Sequence, residues 1–291
     1  MKAITNISIF LLIFVASKKI LADTHYVSKT GANVPPFTNW TNAANVIQDA
    51  VDIAVSNDIV LVNDGVYDTG GAVTPGYSCS NRVVITNDIT VKSLNGPEKT
   101  TILGKGPLGS NAVRGVYMSA GILDGFTVSN GHTRTSDNYA YDRKGGGVNM
   151  YGGNGVVTNC TISGNSAGEE GGGTCYGTVN NCIIWGNSAT ISNNYYRSTI
   201  LYSCTAPLPG GPGNISANPK FLSASDFHLQ ASSPCIDAGT NLPYVYTTTD
   251  LDGNPRLLGD RVDMGAYEYI PEPGVLWIMT AFGALLCKRK T

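Results

Sequence analysis

The residues best suited to chemistry crowd into one stretch: His132, Arg134, Asp137, Tyr139, Tyr141, Asp142, Arg143 and Lys144 fall within thirteen positions. Tyr139 and Tyr141 offer flat faces with polar tips, a combination that suits stacking on sugar rings. Arg134, Arg143 and Lys144 supply charge for pairing with carboxylates. A solvated loop without a ligand has the same composition, so the segment gains meaning only when a rigid scaffold holds it.

A second candidate, Asp250-Leu251-Asp252-Gly253-Asn254, spaces oxygens at alternate positions, as an EF-hand loop begins. Its sixth position is Pro255, where Gly is needed, and its twelfth is Arg261, where a bidentate Glu is needed. Gly253 to Pro255 is therefore read as an Asx-type turn, with Asp250 paired locally to Arg256 or Arg261. No CxxC pair occurs, which argues against a structural zinc site.

The elements that must position these residues are legible as a repeat. Leu123 to Gly131, Val157 to Asn165 and Val179 to Asn187 align without gaps, and a fourth copy begins at Leu201. In each full copy the first, fourth and sixth residues are apolar: Leu123, Phe126, Val128; Val157, Cys160, Ile162; Val179, Cys182, Ile184. Repeats of this size signal a solenoid, in which each unit buries its apolar face against its neighbours. Stacking at a period of 22 residues predicts one buried ladder of reduced thiols, Cys160, Cys182 and Cys204. It also sets Asn165 over Asn187 and Asn159 over Asn181, satisfying one another's amides.

The frame Val157-x-x-Cys160-x-Ile162-x-x-Asn165 also fits a leucine-rich repeat. That architecture needs an apolar residue soon after the Asn and a convex helix, yet Asn165 is followed by Ser-Ala-Gly-Glu-Glu-Gly-Gly-Gly. The Gly triplets at 145–147 and 171–173 suit sharp corners, and each precedes another short strand, Val148 to Tyr151 or Thr174 to Tyr176. Several strands per coil predict an all-β fold, a right-handed parallel β-helix of about 22 residues per coil. Ala43 to Ala54 repeats at helical spacing behind Thr41 and Asn42, predicting a capping helix over the open N-terminal end.

The 291 residues include 35 Gly and only 14% charged side chains, which favours strands and turns. Met1-Lys2, the apolar run Ile7 to Ala16 and the small Ala22 read as a signal peptide, or alternatively as an N-terminal anchor. At the other end Pro271-Glu272-Pro273, an apolar run to Cys287 and Lys288-Arg289-Lys290 read as a sorting or transmembrane tail. The remaining body carries 13 basic and 20 acidic side chains, a net charge of about −7 that repels nucleic acid phosphates. The expected divisions are a signal peptide over 1–22, N-terminal strand and capping helix over 23–58, coils over 59–206, C-terminal coils and closing region over 207–270, and the tail over 271–291.

The order of helix, strands and repeats over 25–205 resembles the pectin-lyase-like superfamily of right-handed parallel β-helix proteins. Ser233-Pro-Cys-Ile-Asp-Ala-Gly239, Asp250 to Arg256 and Asp263-Met-Gly-Ala-Tyr-Glu268 resemble the closing region of bacterial surface proteins of the choice-of-anchor Q type. The tail resembles a PEP-CTERM signal, which implies cleavage by an exosortase-like sorting protease after signal peptidase has acted.

These resemblances imply an exported protein at the bacterial cell surface or in the extracellular matrix, associated with extracellular polysaccharide and requiring no cofactor. Polygalacturonase-like hydrolases carry Asn-Thr-Asp, Asp-Asp, Gly-His-Gly and Arg-x-Lys motifs; Asn130-Gly-His132 matches only part of one. Pectate-lyase-like chemistry, the catalytic alternative, implies Ca²⁺ on Asp137 and Asp142 and Arg134 or Arg143 as the base. His132, Tyr139, Tyr141 and Lys144 would then bind a polyuronate substrate. A third expectation is a structural adhesin.

Overall fold

The computed structural model describes residues 22–95, 100–136, 139–223, 226–241 and 255–271. The signal segment up to residue 21, the tail beyond Pro271, the turn at 96–97, the acidic run at 250–254 and Asp137 lie outside the described residues.

Three long parallel sheets form the walls of a β-helix solenoid. The first sheet stacks Thr24–Val27, Ile59–Val62, Thr90–Ser93, Ile122–Asp124, Val156–Thr158, Thr178–Asn180 and Thr199–Leu201. The second stacks Gly65–Tyr67, Thr100–Leu103, Thr127–Ser129, Thr161–Ser163, Ile183–Trp185 and Cys204–Thr205. The third stacks Ser80–Ile85, Val113–Met118, Val148–Met150, Thr174–Tyr176 and Tyr195–Tyr196, with Ala72–Val73 added antiparallel at its edge. A leucine-rich repeat would place a helix where the third sheet runs, so the Gly-rich corners are decisive.

Alternate residues of each strand point inward, as the pleat requires. Val60, Val91, Leu123, Val157, Val179 and Ile200 form one column of the core, in register from coil to coil. Ile102, Val128, Ile162 and Ile184 form the facing column on the second sheet. Each such side chain leaves water almost completely and contributes about 1.5–3 kcal/mol.

Coil length is not constant. Register in the first sheet pairs Val157 with Val179, 22 residues on, but pairs Val60 with Val91, Val91 with Leu123, Leu123 with Val157 and Val179 with Ile200. The early coils therefore hold 31 to 34 residues and the last holds 21. Leu123 to Val128, Val157 to Ile162 and Val179 to Ile184 keep one spacing, so the inserted residues of the Leu123 to Val157 coil leave the first corner untouched. The single-residue deletion in the last coil corrects the expected thiol ladder. Cys160 N–H donates to Cys182 Sγ, and Cys182 N–H donates to Ser203 Oγ, so Ser203 takes the third rung. Cys204 pairs in register with Ile183 and faces the opposite way, because a one-residue slip exchanges the two faces of a strand.

The asparagine pairs form as expected. Asn165 Nδ2 donates to Asn187 Oδ1 at 2.9 Å and to Val128 O at 2.9 Å, while Asn187 Nδ2 donates to Ile162 O at 2.9 Å. Asn181 Nδ2 reaches Asn159 Oδ1 at 3.3 Å. In each Gly triplet only the first residue has positive φ, 64° at Gly145 and 63° at Gly171. Gly146 and Gly172 are required for another reason: a Cβ there would lie 2.4 and 2.2 Å from the carbonyl oxygens of Ser166 and Ser188.

The capping helix is shorter than expected, Ile47–Ile53, and Thr41 and Asn42 do not cap it. Residues before it are drawn into strand pairing instead: Ala44 bridges Val27, and Ser28 N–H donates to Ala44 O at 2.8 Å. Gln48 performs the capping. Its side-chain amide accepts from Val84 N–H at 2.7 Å and donates to Val84 O at 3.2 Å, closing part of the third sheet's edge as a further strand would.

Beyond Thr205 the chain turns back and lies along the outer face of the second sheet. Ile183, Cys204, Leu229, Cys235 and Met264 make a second apolar cluster there, outside the solenoid interior. Asn181 fixes the register of this covering: its backbone carbonyl accepts from Gly265 N–H, and its side chain exchanges two hydrogen bonds with Thr240.

Candidate functional site

The segment from 132 to 144 is the inserted part of the coil that runs from Leu123 to Val157, and it folds over the outer face of the third sheet. Arg114, fully buried on that face, supplies the clamp. Its Nε donates to Gly145 O, its Nη1 to Asn81 Oδ1 and Thr74 Oγ1, and its Nη2 to Tyr141 O and Lys144 O, at 2.7 to 3.2 Å. Asn149 Nδ2 donates to the same two loop carbonyls. A guanidinium presents five donors in a fixed fork. Here three hydrogen bonds hold the loop and its exit at Gly145, and two brace the wall through Thr74 and Asn81.

Each candidate residue then has a definite place. Asp142 is 1% exposed and its carboxylate accepts N–H bonds from Ser78 and Cys79 at 2.9 to 3.2 Å. Its oxygens are committed to backbone amides, and Asp137 lies outside the described residues. Arg143 pairs with Glu169 at 2.9 Å and Lys144 with Glu170 at 2.5 Å. Arg134 Nη1 donates to Ser110 O at 3.1 Å, and His132 lies against Gly106 with Nδ1 on Asn130 O. Among the described residues no three His, Cys, Asp or Glu side chains gather as a metal site would require. Asp142 and Arg143 are held by separate partners, and what gathers is the aromatic component.

Tyr77 stands at the centre of a phenol cluster, with ring centroids 5.4 Å from Tyr139, 5.6 Å from Tyr141 and 6.5 Å from Tyr151. Tyr141 overlies Tyr151 at 3.7 Å, and Tyr151 meets Tyr176 at 5.8 Å. The Lys144 ammonium continues the line, 5.8 Å from the Tyr141 ring and 5.7 Å from Tyr196, whose other neighbour is Arg197 at 5.2 Å. Tyr139 is 51% exposed and the other rings are half-buried. The Tyr141 hydroxyl is pushed up to about 12, first by its hydrogen bond with Tyr151 and then by desolvation. The result is a strip of aromatic faces ending in two cations, laid across successive coils about 4.8 Å apart.

Only Tyr139, Tyr141 and Lys144 of this strip stand out in the sequence by their crowding. Tyr77 comes from the turn before the third sheet's first long strand, and Tyr151, Tyr176 and Tyr196 from the ends of its later strands. The available signal is the recurrence of a Tyr a few residues after each Gly triplet. Two members carry backbone strain: Tyr176 has φ 63° and Arg197 φ 52°. Bulky residues adopt this region at a cost of about 1–3 kcal/mol, and such outliers gather at functional sites.

A separate cleft of about 420 Å³ lies in the closing region, lined by His228, Gln230, Glu268 and Tyr269 with apolar neighbours. At its edge His228 Nδ1 meets Asp226 Oδ1 at 2.6 Å, and the His228 ring lies 4.2 Å from that of Tyr267.

Fold and site together define a class: a parallel β-helix with a covered second face and a tyrosine-lined third corner. The chain matches no family model, no curated protein and no solved structure. Among the described residues no helix is long and apolar enough to cross a membrane.

Proposed function

We propose that this β-helix binds an extracellular polysaccharide along the strip formed by Tyr139, Tyr77, Tyr141, Tyr151 and Tyr176. One observation carries the reading: five phenol rings meet at one corner, two of them, Tyr139 and Tyr141, on a loop that a buried arginine holds in place. Each ring offers an apolar face for a sugar ring and a hydroxyl for its rim. Rigid rings lose little entropy on binding, which suits a long, weakly featured ligand.

The setting belongs to the same proposal. The N-terminal segment directs export, and the Pro-Glu-Pro tail directs sorting to the cell surface, as the resemblances to choice-of-anchor Q proteins and PEP-CTERM signals imply. Binding is favoured over lyase chemistry because the Asp142 carboxylate and the Arg143 guanidinium already have partners inside the protein.

Affinity electrophoresis against a panel of neutral and acidic polysaccharides tests the reading. The intact protein is retarded by at least one, and Tyr139→Ala with Tyr141→Ala reduces the retardation at least tenfold without altering the thermal midpoint by more than a few degrees. Equal retardation of the double variant, or none for the intact protein on any polysaccharide, overturns it. An unsaturated, ultraviolet-absorbing product from a polyuronate would replace binding with lyase activity.

A further inference from the structure

We propose that Cys204 and Cys235 form a disulfide that staples the closing region to the last coil of the solenoid. Six cysteines lie among the described residues, all buried and all unbridged in the structure, so the choice of pair must come from their surroundings.

Cys160 and Cys182 are neighbours in the interior column, but each sulfur has a place in the backbone ladder. Cys160 Sγ accepts from Phe126 N–H at 3.3 Å and donates to Thr158 O at 3.1 Å. Cys182 Sγ accepts from Cys160 N–H at 3.4 Å and donates to Asn180 O at 3.1 Å. In-register parallel side chains point the same way, unlike the crossed vectors a disulfide needs.

Cys204 differs because the last coil is one residue short. That deletion turns it out of the interior column and onto the outer face, where it meets Cys235 from the returning chain in one apolar cluster. Neither residue has exposed surface; the neighbouring Cys235 thiol, with burial, pushes the Cys204 thiol up, and Cys204 Sγ donates to Ala217 O at 3.2 Å, a bond that the bridge would replace. The two cysteines approach from separate elements, a strand of the second sheet and the covering segment. The intervening loop of thirty residues has few strand contacts of its own, so closing it restricts the unfolded chain substantially.

Both sulfurs are inaccessible in the folded protein, so the bond forms as the closing segment docks. One cysteine, as thiolate, attacks the disulfide of an oxidised small thiol or a disulfide-exchange protein and releases one thiol. The other cysteine, as thiolate, displaces the second thiol from the mixed disulfide. Two protons leave the cysteines, and the electron pair reduces the external disulfide.

The full chain, refolded in reduced and oxidised glutathione and mapped by mass spectrometry without reduction, tests this. The expected result is a Cys204–Cys235 linked peptide two hydrogens lighter than its parts, with Cys79, Cys160, Cys175, Cys182 and Cys287 free. Reductant is expected to lower the thermal midpoint by roughly 5–10 °C, and this sensitivity is absent in Cys235→Ser. Seven free thiols after refolding, or a dominant Cys160–Cys182 link, overturns the proposal. If Cys235→Ser does not fold, the peptide map and the reductant response of the unaltered chain still decide.

Discussion

Arg114 Nη2 donates to the carbonyl oxygen of Tyr141 at 2.9 Å, so a buried guanidinium on one coil sets the position of an aromatic ring carried by the next. The cation has no carboxylate among its five hydrogen-bond acceptors, all of which are neutral oxygens. The loop that carries the candidate site and the sheet beneath it are thereby a single unit.

Replacing Arg114 with Met removes five hydrogen bonds from a dry site and costs about 3–5 kcal/mol. Arg114→Lys restores little, because an ammonium cannot reach acceptors spread around a planar fork. Chemical denaturation measures the loss. Hydrogen exchange at 139–145 is expected to accelerate in both variants.

Asp142→Ala removes the acceptor for two backbone amides, Ser78 and Cys79, with an expected cost of about 2–4 kcal/mol. Because those amides already satisfy the carboxylate, adding calcium or a chelator is expected to leave the thermal midpoint of the unaltered protein within one degree. A calcium-dependent rise would return Asp142 to the role of metal ligand.

Arg197 is held at φ 52° with its guanidinium over Tyr196. Arg197→Gly relieves the backbone and is expected to raise the thermal midpoint by roughly 1–3 °C. The same change removes one of two cations from the strip, so affinity for an acidic polysaccharide falls several-fold while a neutral one is unaffected. Opposite signs in the two measurements distinguish a binding role from a structural one.

Asp263 is buried, and desolvation, partly offset by amide bonds from Asp237 and Tyr269 and by Arg256, raises its carboxyl to about 6. Between pH 3.8 and 6 the unfolded chain has lost this proton while the folded protein keeps it, so stability falls as pH rises through that window. The loss amounts to about 3 kcal/mol and is complete above pH 6. Asp58 and Asp226, both held below the ordinary carboxyl value, act in the opposite sense, losing stability as pH falls below 3.8. Comparing unfolding of the protein and Asp263→Asn from pH 4 to 7 isolates the first effect: the difference in stability shifts steadily across the window and is flat above it.

The stacked coils were readable because a parallel solenoid places identical positions over one another, so Val157, Val179 and their equivalents declare a common environment through spacing alone. The asparagine pairs were readable for the same reason. What spacing could not reveal was a deletion: Cys204 matches Cys182 in type, and only the register Val179 to Ile200 shows that Ser203 holds the rung. Long-range clamps were equally hidden. Arg114 and Asp142 look like surface charges in the sequence, and their burial depends on segments 27 to 64 residues away. The aromatic strip was half visible, since Tyr139 and Tyr141 are crowded locally while Tyr77, Tyr151 and Tyr176 reach them only through coiling.

The returning segment at 255–271 also sets how the molecule would bear tension. Hydrogen bonds between coils run along the solenoid axis, so a pull on the terminal coil would open them strand by strand. The chain leaves the described body at Pro271, however, downstream of the buried Arg256–Glu268 pair and of the Gly265 bond to Asn181. Force entering from that end reaches the side of the second sheet first and is shared among several coils. A protein built this way resists peeling at the end covered by the returning segment, and yields first at the opposite end, where the short helix with Gln48 closes the stack.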